Sequence, residues 1–266
     1  MPTTLGCPRG AHTVLILLPP SEGKTTPRRG LSMRPDAWPA GLRGPRTQVV
    51  EALADLCRGD EAEAMATLGL GPTQAEDVRR NAALESAPTA AAGKVYSGVL
   101  YDALSLDTLS PAARRRATRR VAVVSSLYGV VRLDERIPAY RLGGGVSLPG
   151  LGTVAGHWRG HLDPVVRGLA GTGLVVDLRS STYAAFWRPA ADLASRVVTV
   201  RVLHEVGGRR QVVSHFNKAT KGRLVRDVLE DGRNPRTAAA FAELLGDLGW
   251  KVEPDGTRLD VVVTDI

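Results

Sequence analysis

Six short runs of aliphatic and β-branched residues are spread along the chain, at 14–18 (VLILL), 121–125 (VAVVS), 174–178 (LVVDL), 197–203 (VVTVRVL), 211–216 (QVVSHF) and 259–264 (LDVVVT). Each has the length and composition of a β-strand. Helical spacing fills the intervals: Val50, Leu53, Ala54 and Cys57 share one face of 47–58 ahead of Gly59, and further helices are expected at 61–68, 73–85, about 155–170, 217–230 and 236–248. A chain that alternates in this way must cover a sheet with helices, which gives an α/β, or mixed α+β, fold whose polar motifs gather at strand ends. Residues 1–13 read as a loose N-terminal extension and 14–266 as a single compact domain. The Pro-, Gly- and Arg-rich stretch 26–46 reads as a long irregular connection.

The 266 residues are 43% apolar, enough for a sizeable core. The apolar runs are far shorter than the ~18 residues a membrane span needs. No membrane association is expected, and with no readable secretory leader the expected location is the cytoplasm. Cys7 and Cys57 lack metal-ligand spacing and are expected to be free thiols. A formal charge of +8 favours an anionic partner. Of the 35 basic residues only five are lysine, and Lys24, Lys94, Lys218 and Lys221 all fall in motif-bearing stretches, as expected where a compact ammonium is needed.

The first strand runs into Pro19-Pro20-Ser21-Glu22-Gly23-Lys24-Thr25. A nucleotide-binding P-loop would require a glycine where Leu18 stands, and two prolines remove N–H donors from the cradle, so an NTPase loop is rejected. Between helices 61–68 and 73–85, Gly69 and Gly71 free the backbone to approach a phosphate, and Arg79 and Arg80 follow, the layout of a helix-hairpin-helix; a plain Gly-capped connection fits the same residues. The run RRRATRR at 114–120 reads first as a solvated face. Ser125 to Arg141 carries Tyr128, Arg132, Asp134, Arg136, Tyr140 and Arg141, a mixture suited either to anion recognition or to a structural Arg–Asp network. VVDLRSSTY ends a strand at Asp177 and offers Ser180 and Ser181 as helix caps. Lys218 and Lys221 lie one turn apart on the helix after His215, which serves equally well as a core histidine or a general base. His157 and His161 have i,i+4 spacing but no evident third ligand, so no metal or other cofactor is expected.

Taken together, LPPSEGK, KVYSG, SSLYGVVRLDERIPAYRL and VSHFNKATKGRL, with GHWRGHL and VVDLRSSTY between them in order, resemble the bacterial YaaA family of peroxide stress proteins across about 14 to 230. Where other members carry Ser-Pro-Ala-Lys-Thr this chain has Ser-Glu-Gly-Lys-Thr. The resemblance implies a single domain of the so-called cantaloupe fold with a basic cleft and a helix-hairpin-helix at 61–85. It further implies duplex DNA binding and protection against peroxide.

Two functional expectations follow. In the first, the protein holds duplex DNA by its backbone through Gly69, Gly71, Arg79, Arg80 and Arg223, as a monomer. In the second, it is an enzyme acting on a nucleotide, a nucleobase or a damaged DNA base, with glycosylase- or lyase-like chemistry at the strand ends. Lys24, Glu22, Tyr128, Asp177, His215 and Lys218 would then be catalytic, and Arg132, Arg141, Ser180, Ser181 and Lys221 would hold a nucleotide-like anion.

Overall fold

The computed structural model describes residues 13–264 apart from 208, 212 and 213, and omits the side chains of 206, 214 and 215. In chain order the main elements are β1 (Leu15–Leu18), α1 (Ala40–Arg58), α2 (Glu61–Leu68), α3 (Ala75–Ala82), α4 (Val99–Leu104) and α5 (Pro111–Arg120). There follow β2 (Val121–Ser125), β3 (Gly129–Arg132), α6 (Val154–Arg159), α7 (Leu162–Ala170), β4 (Val175–Asp177), β5 (Val197–Val206) and β6 (Arg209–Gln211). The chain closes with α8 (Ser214–Asp231), α9 (Ala238–Asp247), β7 (Lys251–Asp255) and β8 (Arg258–Val263).

The strands form one mixed sheet in the order β7-β8-β5-β4-β1-β2-β3, with β6 paired to β5. The pairs β1 with β2, β1 with β4, β4 with β5 and β5 with β8 are parallel, whereas β3 and β7 run antiparallel to their neighbours at the two edges. Strands β1, β2 and β4 are buried along their whole length, the burial pattern of strands covered on both faces. A single hydrophobic core runs from Val14 to Val261. From β1 the chain builds outward to β2 and β3 on one side, and later returns to lay β4 against the opposite side of β1. Reversals of this kind open a crevice beyond the carboxyl ends of the parallel strands.

The α/β expectation holds, with local corrections. Residues 40–46 are helical although Pro45 lies inside α1, because Leu42, Arg46 and Val49 continue the buried stripe of that helix. Arg46 is only 1% exposed and donates to the carbonyls of Tyr128 (3.0 Å) and Val130 (2.6 Å) and to Glu135 Oε2 (2.9 Å). Its guanidinium lies against the Trp38 and Tyr128 rings. These bonds tie the first turns of α1 to the 128–135 segment, although Pro45 removes one helical hydrogen bond there.

Residues 129–132 form β3 rather than an irregular stretch. Gly129, at φ 70°, turns the chain back, and a Cβ there would come within 2.6 Å of the Trp158 ring. The strand expected at 211–216 ends at Gln211, and residues from Ser214 onward are helical; 212 and 213 lie outside the described residues. The 155–170 helix is two helices separated around Gly160. The basic run 114–120 belongs to α5, where Arg116 donates to the carbonyls of Leu229 and Glu230 and Arg120 to those of Gly232 and Arg233. These arginines cap the C-terminal end of α8 instead of facing only solvent.

Candidate functional site

Prolines 19 and 20 carry the chain out of β1, and the Tyr101 hydroxyl holds the Pro19 carbonyl at 2.8 Å. The next residues close into a turn: Ser21 Oγ donates to the Gly23 carbonyl (2.6 Å) and accepts from the Ser97 N–H (3.1 Å). Lys24 pairs by its backbone with Tyr96, and Thr25 N–H donates to the Val95 carbonyl at 2.8 Å. The Lys24 side chain folds back over this turn, with Nζ donating to the Ser21 carbonyl at 2.7 Å. The amine lies 4.0 Å from the centre of the Tyr140 ring and 5.7 Å from that of Tyr96. Burial pushes the amine down from 10.5 to about 7, helped by the positive charge of Arg141 and opposed by Asp77 and Glu22. Asp77 and Arg80 on α3 thus lie within the electrostatic reach of Lys24, although more than fifty residues separate them in sequence.

The tyrosines behind the amine form a buried polar chain. Tyr96 and Tyr140 hydroxyls are 3.1 Å apart, Ser125 Oγ lies 2.7 Å from the Tyr140 hydroxyl, and Tyr128 N–H donates to Ser125 Oγ at 3.1 Å. Desolvation raises the Tyr96 and Tyr140 phenols far above their ordinary value, so both stay neutral. Tyr101 stacks on Tyr96 at 5.4 Å. At the mouth, Arg141 reaches Glu22 at 3.3 Å, and its backbone is held at both N–H and carbonyl by the buried Asn81 side chain of α3 (2.9 and 2.7 Å). Tyr183 lies under the glycine loop 143–145: a Cβ on Gly144 would sit 3.1 Å from its ring, and Glu22 and Arg141 both act on its hydroxyl. An open cavity of about 510 Å³ adjoins the Lys24 turn through Thr25, Tyr96, Ser97, Tyr101 and Lys94.

A second desolvated amine stands at the neighbouring strand end. Lys221 of α8 donates to the Leu178 carbonyl at 2.8 Å, and burial lowers it from 10.5 to about 8 against the pull of Asp177. Leu178 N–H donates to the Leu17 carbonyl, so Lys221 lies just past β4, beside the exit from β1. Gly222 lets α8 approach α4: an added Cβ would be 2.2 Å from the Leu100 carbonyl.

Glu22, Lys24 and Arg141 therefore meet, and Lys221, Asp177, Ser180 and Ser181 stand at the same carboxyl edge. The Asp177 carboxylate is gripped by Arg179 through both oxygens (2.8 and 2.6 Å), and Arg179 also donates to the carbonyls of Tyr183 and Trp187. Ser180 and Ser181 are exposed. Tyr128 is buried behind Tyr140, 5.9 Å between ring centres, with its hydroxyl donated to Met33 Sδ at 2.9 Å. Arg132 lies away from the crevice, since it pairs with Ala122 near the start of β2 and donates to the Thr118 carbonyl. Lys218 and Arg223 are exposed on α8, and the His215 side chain lies outside those described.

Helices α2 and α3 are joined through Gly69 at φ 64° and Gly71, but the turn keeps its donors at home. Gly69, Leu70 and Gly71 N–H groups donate to Ala66 O, Met65 O and Gln74 Oε1. Arg79 is paired with Glu76 and Glu61, and Arg80 with Asp77. Each hairpin arginine thus faces a carboxylate. His157 Nε2–H donates to the Pro45 carbonyl (3.1 Å), and its ring lies 5.1 Å from that of His161. Among the described residues no group of three potential metal ligands occurs, and no helix is long and apolar enough to cross a membrane.

Sequence reasoning left out Tyr96, Asp77, Asn81, Tyr183 and the buried Arg46 as contributors. Tyr96 stands inside the KVYSG motif and was legible there; Asp77 and Asn81 carry no signal until α3 is docked on the 141 loop.

The sequence pattern described as peroxide stress protein YaaA matches residues 14–255. A UPF0246 protein of Streptomyces coelicolor is 47% identical over 95% of this chain and 100% of its own length. A UPF0246 protein of Corynebacterium efficiens is 40% identical over 94% of this chain and 98% of its own. A more distant one, from a Ruegeria species, is 33% identical over 65% of this chain and 71% of its own.

Proposed function

The chain belongs to the family of the peroxide stress protein YaaA, and from that membership we propose that it acts on oxidatively damaged nucleic acid, with Lys24 as a reactive amine in the crevice at the carboxyl edge of the sheet. The observation that carries this reading is the state of Lys24. An ordinary lysine amine is neutral in only ~1 in 3,000 molecules at pH 7. An amine with a value of about 7 is neutral in roughly half of them, and a neutral amine is a nucleophile.

Peroxide damage to a nucleic acid leaves sugars without their base, whose ring-opened form is an aldehyde. The Lys24 nitrogen lone pair adds to the aldehyde carbon, the two protons released by the nitrogen pass to the carbonyl oxygen, which leaves as water, and a C=N bond joins protein and sugar. The buried Tyr140 and Tyr96 rings pack behind the amine and keep water from it, which holds it in the neutral form. Arg141 at the mouth is placed to meet a phosphate once it exchanges Glu22, an exposed partner, for the anion. The formal charge of +8 supports a polyanion as the carrier of the damaged sugar. Backbone holding of duplex DNA by the α2–α3 turn has less support, because that turn's N–H groups and arginines are already paired within the protein.

Borohydride trapping on a duplex with one abasic site tests the proposal. A covalent adduct is expected with the native chain and with Lys221→Met, and its loss with Lys24→Arg. An adduct formed equally by Lys24→Arg, or none formed by the native chain, would overturn it.

A further inference from the structure

The irregular segment between Lys24 and α1 carries PRRGLSMR, and neither the fold nor the crevice explains it. Among the described residues only two large apolar side chains are exposed, and Leu31, at 70%, is by far the more so. A single leucine on a surface loop is unremarkable by itself. This loop is fixed. The Leu31 carbonyl accepts from both the N–H (3.0 Å) and the hydroxyl (2.7 Å) of Thr89, itself buried. Gly30, at φ 145°, presses its bare Cα against the Thr89 carbonyl, where a Cβ would sit 2.4 Å away. Arg136 clamps the same threonine through its carbonyl and hydroxyl. The backbone is therefore held rigidly while the leucine side chain is pushed into solvent. Arg28 and Arg29 beside it are exposed, and among the described residues neither has a carboxylate partner.

Three contacts lead from this loop to the reactive amine: Met33 Sδ takes the Tyr128 hydroxyl at 2.9 Å, Tyr128 packs on Tyr140 at 5.9 Å, and Lys24 lies 4.0 Å over Tyr140. An apolar side chain held out rigidly beside two exposed cations is the equipment for entering a base stack while the neighbouring charges take the phosphates. We propose that Leu31 is a wedge that unstacks a nucleic-acid duplex next to the crevice, with Arg28 and Arg29 gripping the backbone beside it. The inference rests on the reading that the crevice receives a sugar or base from nucleic acid.

The test uses a duplex carrying 2-aminopurine next to a stable tetrahydrofuran abasic analogue, whose fluorescence rises on unstacking. The full chain is expected to raise the signal several-fold. Leu31→Ala is expected to abolish most of that rise while weakening affinity less than about five-fold, because the phosphate contacts remain. Gly30→Ala, which forces the loop off Thr89, is expected to behave likewise. The double variant Arg28→Ala/Arg29→Ala is expected to lower the salt dependence of binding by a slope of about 2, one unit for each phosphate contact. A full fluorescence rise with Leu31→Ala, or an unchanged salt slope in the arginine variant, overturns the wedge. Leu31-dependent unstacking without a trapped Lys24 adduct leaves the wedge standing and removes the crevice chemistry; an adduct with Leu31-independent unstacking does the reverse. Absence of duplex binding by the native chain overturns both.

Discussion

Replacing Lys24 by methionine should stabilise the protein, and the gain should depend on pH in a defined way. The native amine is lowered from 10.5 to about 7 chiefly because folding takes it out of water. Below about pH 7 both folded and unfolded chains hold the proton, and the folded chain bears the full penalty of a desolvated charge. Between about 7 and 10.5 the unfolded chain keeps its proton while the folded chain has released it, so native stability rises with pH across that window. At about 1.4 kcal/mol per unit the shift corresponds to at most ~5 kcal/mol. Water at the mouth of the crevice screens the charge, and methionine forfeits the hydrogen bond to Ser21, so a net gain of roughly 2 kcal/mol at pH 6 is expected. By pH 10 that gain should vanish or change sign. Urea unfolding of both proteins at pH 6, 8 and 10 measures it. A difference that stays constant over that range, or a Lys24→Met protein less stable than the native one at pH 6, would refute the assignment of a desolvated amine.

Other substitutions report on how the crevice is held. Arg46→Ala leaves the carbonyls of Tyr128 and Val130 and the Glu135 carboxylate without their donor, and should lower unfolding stability by about 4 kcal/mol in denaturant titration. Gly222→Ala drives a methyl group into the Leu100 carbonyl and should lower stability by about 2 kcal/mol, visible as a fall in Tm, as α8 withdraws from α4. Tyr140→Phe keeps the ring beneath Lys24 but removes the hydroxyl shared by Tyr96 and Ser125; a loss of about 1–2 kcal/mol is expected in the same assay, with the Lys24 titration little changed.

Much of the architecture was legible because β1, β2 and β4 are short runs dominated by Val, Leu and Ile, a composition that suits strands buried on both faces, while β5 and β8 keep clustered valines around Thr199, Arg201 and Asp260. β3 was not legible: its residues Gly129 to Arg132 read as strand only once Gly129 packs under Trp158 and reverses the chain. The start of α1 was hidden by Pro45, a local signal against helix that the buried Arg46 network overrides. Within the site, the turn holding Glu22 and Lys24 and the segment carrying Tyr140 and Arg141 stood out by residue type. Their convergence depends on Asn81, a residue whose role is fixed only by the docking of α3. The arginines of 114–120 illustrate the opposite error, since charge density alone does not show that two of them cap α8.

The chemistry of the crevice depends on Lys24 carrying a neutral amine near neutral pH. Competitive acylation of the folded protein across pH 5 to 11, with each lysine followed by peptide mass spectrometry, measures this directly. Half-maximal reactivity of Lys24 is expected at about pH 7, with Lys221 following at about 8. A Lys24 midpoint at the ordinary lysine value of about 10.4 would contradict it.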